Sequence, residues 1–216
     1  MISAAAAEKM DRQYRFQRHI YDHTRTHYLY WRERLIKELA PPAGGTVVEV
    51  ACGTGWNLLR ALKAYPDARV FGFDISKEML RTAQSALSRQ GFTNRAVLAQ
   101  GDATAFDLAA LFAIPSADRI FISYAVSMIP DWEKAVERAV VALGPGGRLA
   151  IVDFGRMETM PVLAKTAFRA FLAHYNVTPR DALEPVLREI AKRHGLAISF
   201  EQTRQGYAAY AVLEKA

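Results

Sequence analysis

Glu49-Val50-Ala51-Cys52-Gly53-Thr54-Gly55 follows directly on the apolar run Thr46-Val47-Val48, and Asp74 ends a second apolar run, Val70-Phe71-Gly72-Phe73. This reads as a strand, a tight turn into a helix, and an acid at the tip of the next strand. Small residues in such a turn let a ligand approach the backbone closely. An acid at the second strand tip can accept hydrogen bonds from both hydroxyls of a ribose. The pattern points to a nucleoside-containing cofactor.

Outward from this stretch, strands and helices alternate. Helices are expected at Trp56 to Tyr65, at Ser76 to Gln90 with Ser76 as cap and Gly91 as stop, and at Trp132 to Leu143 after Asp131. Strands are expected at Ala96 to Ala99, Arg119 to Tyr124 and Arg148 to Phe154, the last preceded by the turn Gly144-Pro145-Gly146-Gly147. Such alternation implies a doubly wound α/β fold with a mostly parallel sheet. Beyond Phe154, an apolar helix spans Val162 to His174. Thr178-Pro179 can open another helix, which Pro185 would kink or interrupt. Ala197 to Gln202 and Tyr207 to Leu213 then alternate around Arg204-Gln205-Gly206, an antiparallel hairpin at the end of the chain. Upstream, Met10 to Leu39 lacks glycine and proline and reads as helical, with Pro41-Pro42-Ala43-Gly44-Gly45 as stop and hinge. Residues 1–42 are thus expected to form a helical cap and residues 43–216 the cofactor-binding domain.

The 216 residues are 51% hydrophobic and 23% charged, ordinary for a globular protein. No apolar run approaches the ~20 residues that cross a bilayer, and Ala4 to Ala7 is too short for a signal-peptide core. A cytoplasmic protein is expected. The single cysteine, Cys52, excludes an internal disulfide and any CxxC metal site, and reads as a small apolar filler under the cofactor. No metal is expected. The formal charge of +6 suits acidic partners such as phosphate or anionic lipid. It is concentrated early: six arginines and two acids lie between Arg12 and Arg34.

The glycine pattern narrows the cofactor. A dinucleotide fingerprint needs a third glycine, where Leu58 stands, and a phosphate loop needs Gly-Lys-Ser/Thr, which is absent. S-adenosylmethionine, with a ribose and adenine but no phosphate, remains. Glu49 to Gly55 resembles the first motif of class I methyltransferases. Asp74 resembles their ribose acid, Gly101-Asp102-Ala103 their adenine-contacting segment, and Ser123-Tyr124 the segment flanking the methyl group. Leu143 to Leu149 resembles the loop before their fifth strand. One departure is Ala51, where the family usually has its first glycine; a slightly tighter pocket is expected. The resemblance implies a Rossmann-like sheet of seven strands, one of them antiparallel near the edge. It places cofactor contacts on Glu49, Ala51, Cys52, Gly53, Gly55, Asn57, Asp74, Ile75, Met79, Asp102, Ala103, Ser123 and Tyr124.

The acceptor is a separate question. The Asn/Asp-Pro-Pro-aromatic motif of amino-methylating DNA enzymes is absent at Ser123-Tyr124-Ala125-Val126. Tyr14, Tyr21 and Tyr28 recur every seven residues and share a helix face, drifting only ~20° per repeat. Arg18 and Arg25 lie near that face. Tyrosine faces hold a methylated ammonium and arginine forks hold a carboxylate or phosphate. A capping helix whose tyrosines merely pack is the plainer alternative. Met10 to Arg25, Ser123 to Trp132, Ile151 to Gly155 and Val177 to Arg180 resemble bacterial betaine-lipid methyltransferases. That likeness implies three successive N-methylations of a homoserine headgroup on diacylglycerol, at the inner face of the cytoplasmic membrane. A basic, aromatic N-terminal helix suits that surface.

Candidate proton acceptors or orienting groups are Tyr14, His19, Tyr21 and Asp153. Arg18, Tyr28, Ser127 and Arg156 are candidates for the acceptor, and Arg25 for a carboxylate of either ligand. Another phospholipid amine, such as phosphatidylethanolamine, is the nearest alternative acceptor. RNA or a non-catalytic sensing role is more distant, and no nucleic-acid partner is expected.

Overall fold

The computed structural model describes residues 29–216. The expected Tyr14, His19, Tyr21, Tyr28, Arg18 and Arg25 sites lie outside the described residues. The sheet has seven strands in the order β3-β2-β1-β4-β5-β7-β6. They are β1 (Thr46–Val50), β2 (Arg69–Asp74), β3 (Ala96–Gln100), β4 (Ala117–Ser123), β5 (Leu143–Phe154), β6 (Ala197–Gln202) and β7 (Ala208–Glu214). All neighbours from β3 through β5 pair in parallel. Only β7 runs antiparallel, inserted between β5 and β6.

The central strands are apolar on both faces, because helices cover both. Val48, Val50, Ile120 and Ile122 point to one side and pack with Phe106, Trp132, Val136, Leu187 and Ile190. That side is covered by α4 (Leu108–Phe112), α5 (Trp132–Val141) and α7 (Leu183–His194). Val47 and Phe121 point to the other, with Leu35, Leu58, Leu62, Leu87 and Leu172. There lie α1 (Arg32–Glu38), α2 (Trp56–Ala64), α3 (Lys77–Arg89) and α6 (Val162–His174). Each such side chain adds about 1.5–3 kcal/mol by leaving water. No helix among the described residues is long and apolar enough to cross a membrane.

Three sequence expectations are corrected, and one helix is added to them. The long helix through Leu39 begins, within the described residues, only at Arg32, because Trp31 takes a left-handed conformation at φ 65°. Trp31 packs edge-on against Tyr210, and Arg34 bonds both carboxylate oxygens of Glu201, which docks α1 on the edge of the sheet. The helix after Thr178-Pro179 starts at Leu183, so Pro185 falls in its first turn, where no amide bond is lost. The short helix α4 was not anticipated; Asp107 caps it by accepting from the Ala109 amide. Finally, Gly144-Pro145-Gly146-Gly147 does not separate two elements. It bulges out of β5 while that strand stays paired with β4, the register shifting between Ala117 and Arg119.

Arg119 locks the lower edge of this frame. Its Nε donates to the Leu39 carbonyl at 2.6 Å, and its Nη2 to Ala40 at 2.9 Å. Its Nη1 donates to Asp118 at 2.7 Å and to Gly146 at 3.3 Å. One buried guanidinium thus ties the end of α1 and the β5 bulge to the start of β4. Arg119→Met strands those carbonyls, and we expect a loss of about 2–4 kcal/mol in chemical denaturation. A change below about 0.5 kcal/mol would show that water replaces these bonds at no cost.

Candidate functional site

The carboxyl ends of β1, β2, β3 and β4 converge where the strand order reverses between β1 and β4, the place where open α/β sheets bind ligands. A cleft of about 620 Å³ opens there. Its base is the turn after β1. Ala51 and Gly53 both adopt left-handed backbone, at φ 55° and 53°. A Cβ on Gly53 would meet nothing within 4 Å, so this part of the turn faces open cleft. Ala51 pays for the same conformation with a steric cost of about 1–2 kcal/mol that glycine would avoid. The departure at Ala51 therefore acts on the backbone as well as on pocket width. Gly55 plays a different part. It starts α2 at φ 76°, and a Cβ there would stand 3.0 Å from the Ala83 Cβ, so it permits close packing of α2 on α3.

Asp74 fixes the turn. Its Oδ2 accepts from the Gly53 amide at 2.9 Å and its Oδ1 from the Ser76 amide at 2.9 Å. The carboxylate lines the cleft while holding the loop of β1 and the cap of α3 in register. Asp102 also lines the cleft, its Oδ1 accepting from the amide and hydroxyl of Thr104.

Glu49, the penultimate residue of β1, is fully buried. Its Oε1 accepts from Asn57 Nδ2 at 2.6 Å, and Asn57 Oδ1 accepts from Arg32 Nε at 3.1 Å. Its Oε2 is buried with no hydrogen-bond partner among the described residues, although Glu49 lines the cleft. Burial pushes its pKa up to about 8. Asp74 adds to the rise, while Asn57 and Arg32 oppose it. A buried acceptor facing a cavity is a place for a ligand donor. Burial likewise drives the Cys52 thiol well above its ordinary value, with Asp74 and Glu49 adding to it. Cys52 is therefore an unreactive wall of the cleft.

The opposite wall comes from β4 and the loop after it. Tyr124 sits at φ 53°, uncommon for a bulky residue, and its hydroxyl donates to the Tyr30 carbonyl at 2.9 Å. The Ser123 hydroxyl is buried with no partner among the described residues, while the Ser127 hydroxyl lies beside the Asp153 carboxylate; both residues line the cleft. The Ser123 hydroxyl and Glu49 Oε2 are two polar atoms left for a bound molecule to satisfy.

The structure brings most of the sequence candidates together. Glu49, Ala51, Cys52, Gly53, Asn57, Asp74, Ile75, Asp102, Ala103, Ser123, Tyr124 and Ser127 all line the cleft. Others sit elsewhere. Met79 is buried in the first turn of α3, its amide donating to Ser76 Oγ, and it does not line the cleft. Arg156 turns toward Glu184 and Glu158, at 3.8 Å and 4.0 Å, outside the cleft. Asp153 lies beneath the wall, where its carboxylate accepts from the Ser127 and Phe154 amides. It is raised to about 6 by burial, against the opposing pull of the Ser127 hydroxyl, those two amides and Arg180, and it positions the Ser127 loop without reaching the cleft.

Arg32, Trp56, Asn176, Thr178 and Arg180 also line the cleft, and no role was assigned to them from sequence. Arg32 stacks on Trp56 at 3.7 Å. Arg180 donates through Nε to the Val126 carbonyl at 3.2 Å and through Nη2 to Ile129 at 2.6 Å, leaving Nη1 unused by the described residues. The remaining signal for these residues was the Val177-Thr178-Pro179-Arg180 segment, which periodicity cannot place at a strand tip far away in sequence. No group of three or more His, Cys, Asp or Glu among the described residues could hold a metal ion.

Residues 47–147 match the family model described as a methyltransferase domain. The chain is 33% identical over 151 residues to the ubiquinone/menaquinone biosynthesis C-methyltransferase of Syntrophotalea carbinolica, covering 69% of this chain and 59% of that protein. It is 30% identical over 132 residues to a demethylmenaquinone methyltransferase of Desulfitobacterium hafniense, covering 61% and 50%. The chain thus spans between half and three-fifths of those relatives' length. Among solved structures, the YcgJ protein of Bacillus subtilis superposes with a TM-score of 0.66 at 19% identity, over 85% of this chain and 97% of that one. Phosphoethanolamine N-methyltransferase 2 of Haemonchus contortus, in complex with S-adenosyl-L-methionine, gives 0.67 at 18% identity, over 85% and 52%.

Folded Glu49 keeps its proton to about pH 8, whereas its ordinary value is 4.5. Between those values the unfolded chain binds fewer protons, so stability falls as pH rises through the window. Asp153 acts with the same sign over the lower window, from 3.8 to about 6. Glu49→Gln removes the upper component. Denaturation midpoints measured at about pH 5 and about pH 8 should fall more for the wild type than for the variant. Equal falls would mean that Glu49 is ionised in the fold throughout.

Proposed function

We propose that this chain, which carries a class I S-adenosylmethionine-dependent methyltransferase domain, methylates the amine of a carboxylate-bearing lipid headgroup, converting diacylglycerylhomoserine to its trimethylated betaine. The observation that carries the reading is Arg180. Its guanidinium lines the cleft with an Nη1 that bonds none of the described residues, from which a headgroup carboxylate would accept. The tyrosine–arginine stripe of residues 14–28 supports the same acceptor from the side of sequence.

The cofactor, when bound, supplies a methyl group on a sulfonium, open to in-line attack by a neutral amine. The residues present fit it: Glu49 Oε2 is placed to take an ammonium, Asp74 and Asp102 offer acceptors for hydroxyl and amino groups, and the Gly53 side of the turn admits close approach. Tyr124, held by the Tyr30 carbonyl, and Ser123 form the wall beside the reacting amine. Asp153 fixes the Ser127 loop that closes this wall against water. The first two transfers release a proton and the third does not, so a proton acceptor in solvent suffices.

A second reading is favoured by the relatives. Two similar proteins are named as quinone-pathway methyltransferases, which suggests a ring carbon as acceptor. The two separate in one assay. Purified protein, labelled S-adenosylmethionine and micelles of diacylglycerylhomoserine, phosphatidylethanolamine or demethylmenaquinone should give label in three successive homoserine-lipid products. Label only in the quinone, or only in the ethanolamine lipid, would overturn the proposal.

Two substitutions divide the cleft. Asp74→Ala should weaken cofactor binding by about 1.5–3 kcal/mol, roughly ten- to 150-fold by calorimetry, with unchanged affinity as the contrary result. Arg180→Met should raise the KM for the lipid by about ten-fold or more while cofactor affinity stays within about two-fold, and Arg180→Lys should recover part of the loss. A KM unmoved by Arg180→Met would remove the carboxylate contact from the account.

A further inference from the structure

Helix α6 has an inverted surface. A helix on a globular protein normally buries its apolar stripe and shows charge to water. Over Val162–His174 only Leu172 is buried. Val162 and Leu163 are 78% and 87% exposed, and Phe171 is 47% exposed. Ala167 and Ala170 are exposed between them, and the only ionisable exposed side chain of the helix is His174 in its last turn. The two charged residues, Lys165 and Arg169, are half-buried on the other side, and Arg169 is ion-paired with Asp181. An apolar face turned to water is the reverse of what a surface helix shows.

We propose that this outward face of α6 docks on the surface of an anionic lipid bilayer. Three observations select that occupant. First, the face is small. A helix of this length covers about 20 Å by 10 Å, roughly 200 Å², well short of the ~800 Å² that each partner of a stable dimer buries. A bilayer needs only a few inserted side chains such as Leu163 and Phe171. Second, α6 carries no acid and the chain has a net charge of +6, which favours anionic headgroups. Third, a run of packed rings, its inner members buried, links the face to the wall of the cleft. Phe171 stacks on Phe168, Phe168 packs on Phe154, and Phe154 on Tyr124, which lines the cleft. The chain leaving α6 also turns directly into Asn176, Thr178 and Arg180 at its mouth. A bilayer seated on α6 presents headgroups to that mouth while their acyl chains stay in the membrane. The inference rests on the reading that the acceptor is a membrane lipid.

The test is co-sedimentation of the full chain with vesicles of phosphatidylcholine containing a minority of phosphatidylglycerol, with no acceptor present. Leu163→Glu and Val162→Glu, at positions so exposed that folding tolerates them, should each lower vesicle affinity by about ten-fold or more. Affinity for S-adenosylmethionine, measured by calorimetry, should stay unchanged. No binding by the wild type, binding by the variants equal to it, or a wild-type dimer that the variants abolish would each overturn the proposal. The acceptor reading fails separately. Vesicle binding lost in the variants but no lipid methylated leaves the surface standing, whereas methylation of a short-chain micellar acceptor without vesicle binding leaves the acceptor standing.

Discussion

A carboxyl group buried at the tip of the central strand organises this molecule. Glu49 stands between Asn57 and the cleft, with one oxygen held at 2.6 Å and the other without a partner among the described residues. Ionising it there is costly, because burial removes water and Asp74 is close by. The fold accepts that cost at the one place where strand β1 meets both β2 and β4 and the sheet reverses its order. A cationic ligand group beside Oε2 would relieve it. The strand order, the turn and the cleft are arranged around that unsatisfied atom.

The rest of the site divides the work. Asp74 both lines the cleft and clamps the turn through the Gly53 and Ser76 amides, so binding and loop geometry share one side chain. Backbone strain collects on the same rim, at Ala51 and Tyr124, each at the end of a central strand. Asp153 resembles Glu49 in burial and in the direction of its shift, yet it faces two backbone amides and is satisfied. Two buried acids of similar sequence context thus serve different ends, and only hydrogen-bond partners tell them apart.

Much of this was legible in the chain. Apolar runs ending in small residues or acids located the strands of the cleft to within a residue or two, because a doubly covered strand must be apolar throughout. The turn from Glu49 to Gly55 and the acids Asp74 and Asp102 were visible for the same reason. Other features were not. The five residues of α4 are too few for a helical period, and only Asp107 hints at a cap. The glycines from 144 to 147 announce a turn, but whether the strand resumes pairing across it depends on β4. Arg32 and Arg180 reach the cleft from distant parts of the chain, and Asp153 and Arg156 turn away from it. Side-chain direction at an element's end is fixed by tertiary packing, which periodicity does not encode.

The central claim is that Glu49 is held neutral until a cation reaches it. Calorimetric titration of the protein with S-adenosylmethionine at about pH 6.5, in two buffers of different ionisation heat, counts the protons exchanged on binding. With the ligand's ammonium beside Oε2, the carboxyl ionises and about one proton is released per cofactor bound, a release that Glu49→Gln abolishes. Binding with no proton exchanged, or with the same release in Glu49→Gln, would contradict the account.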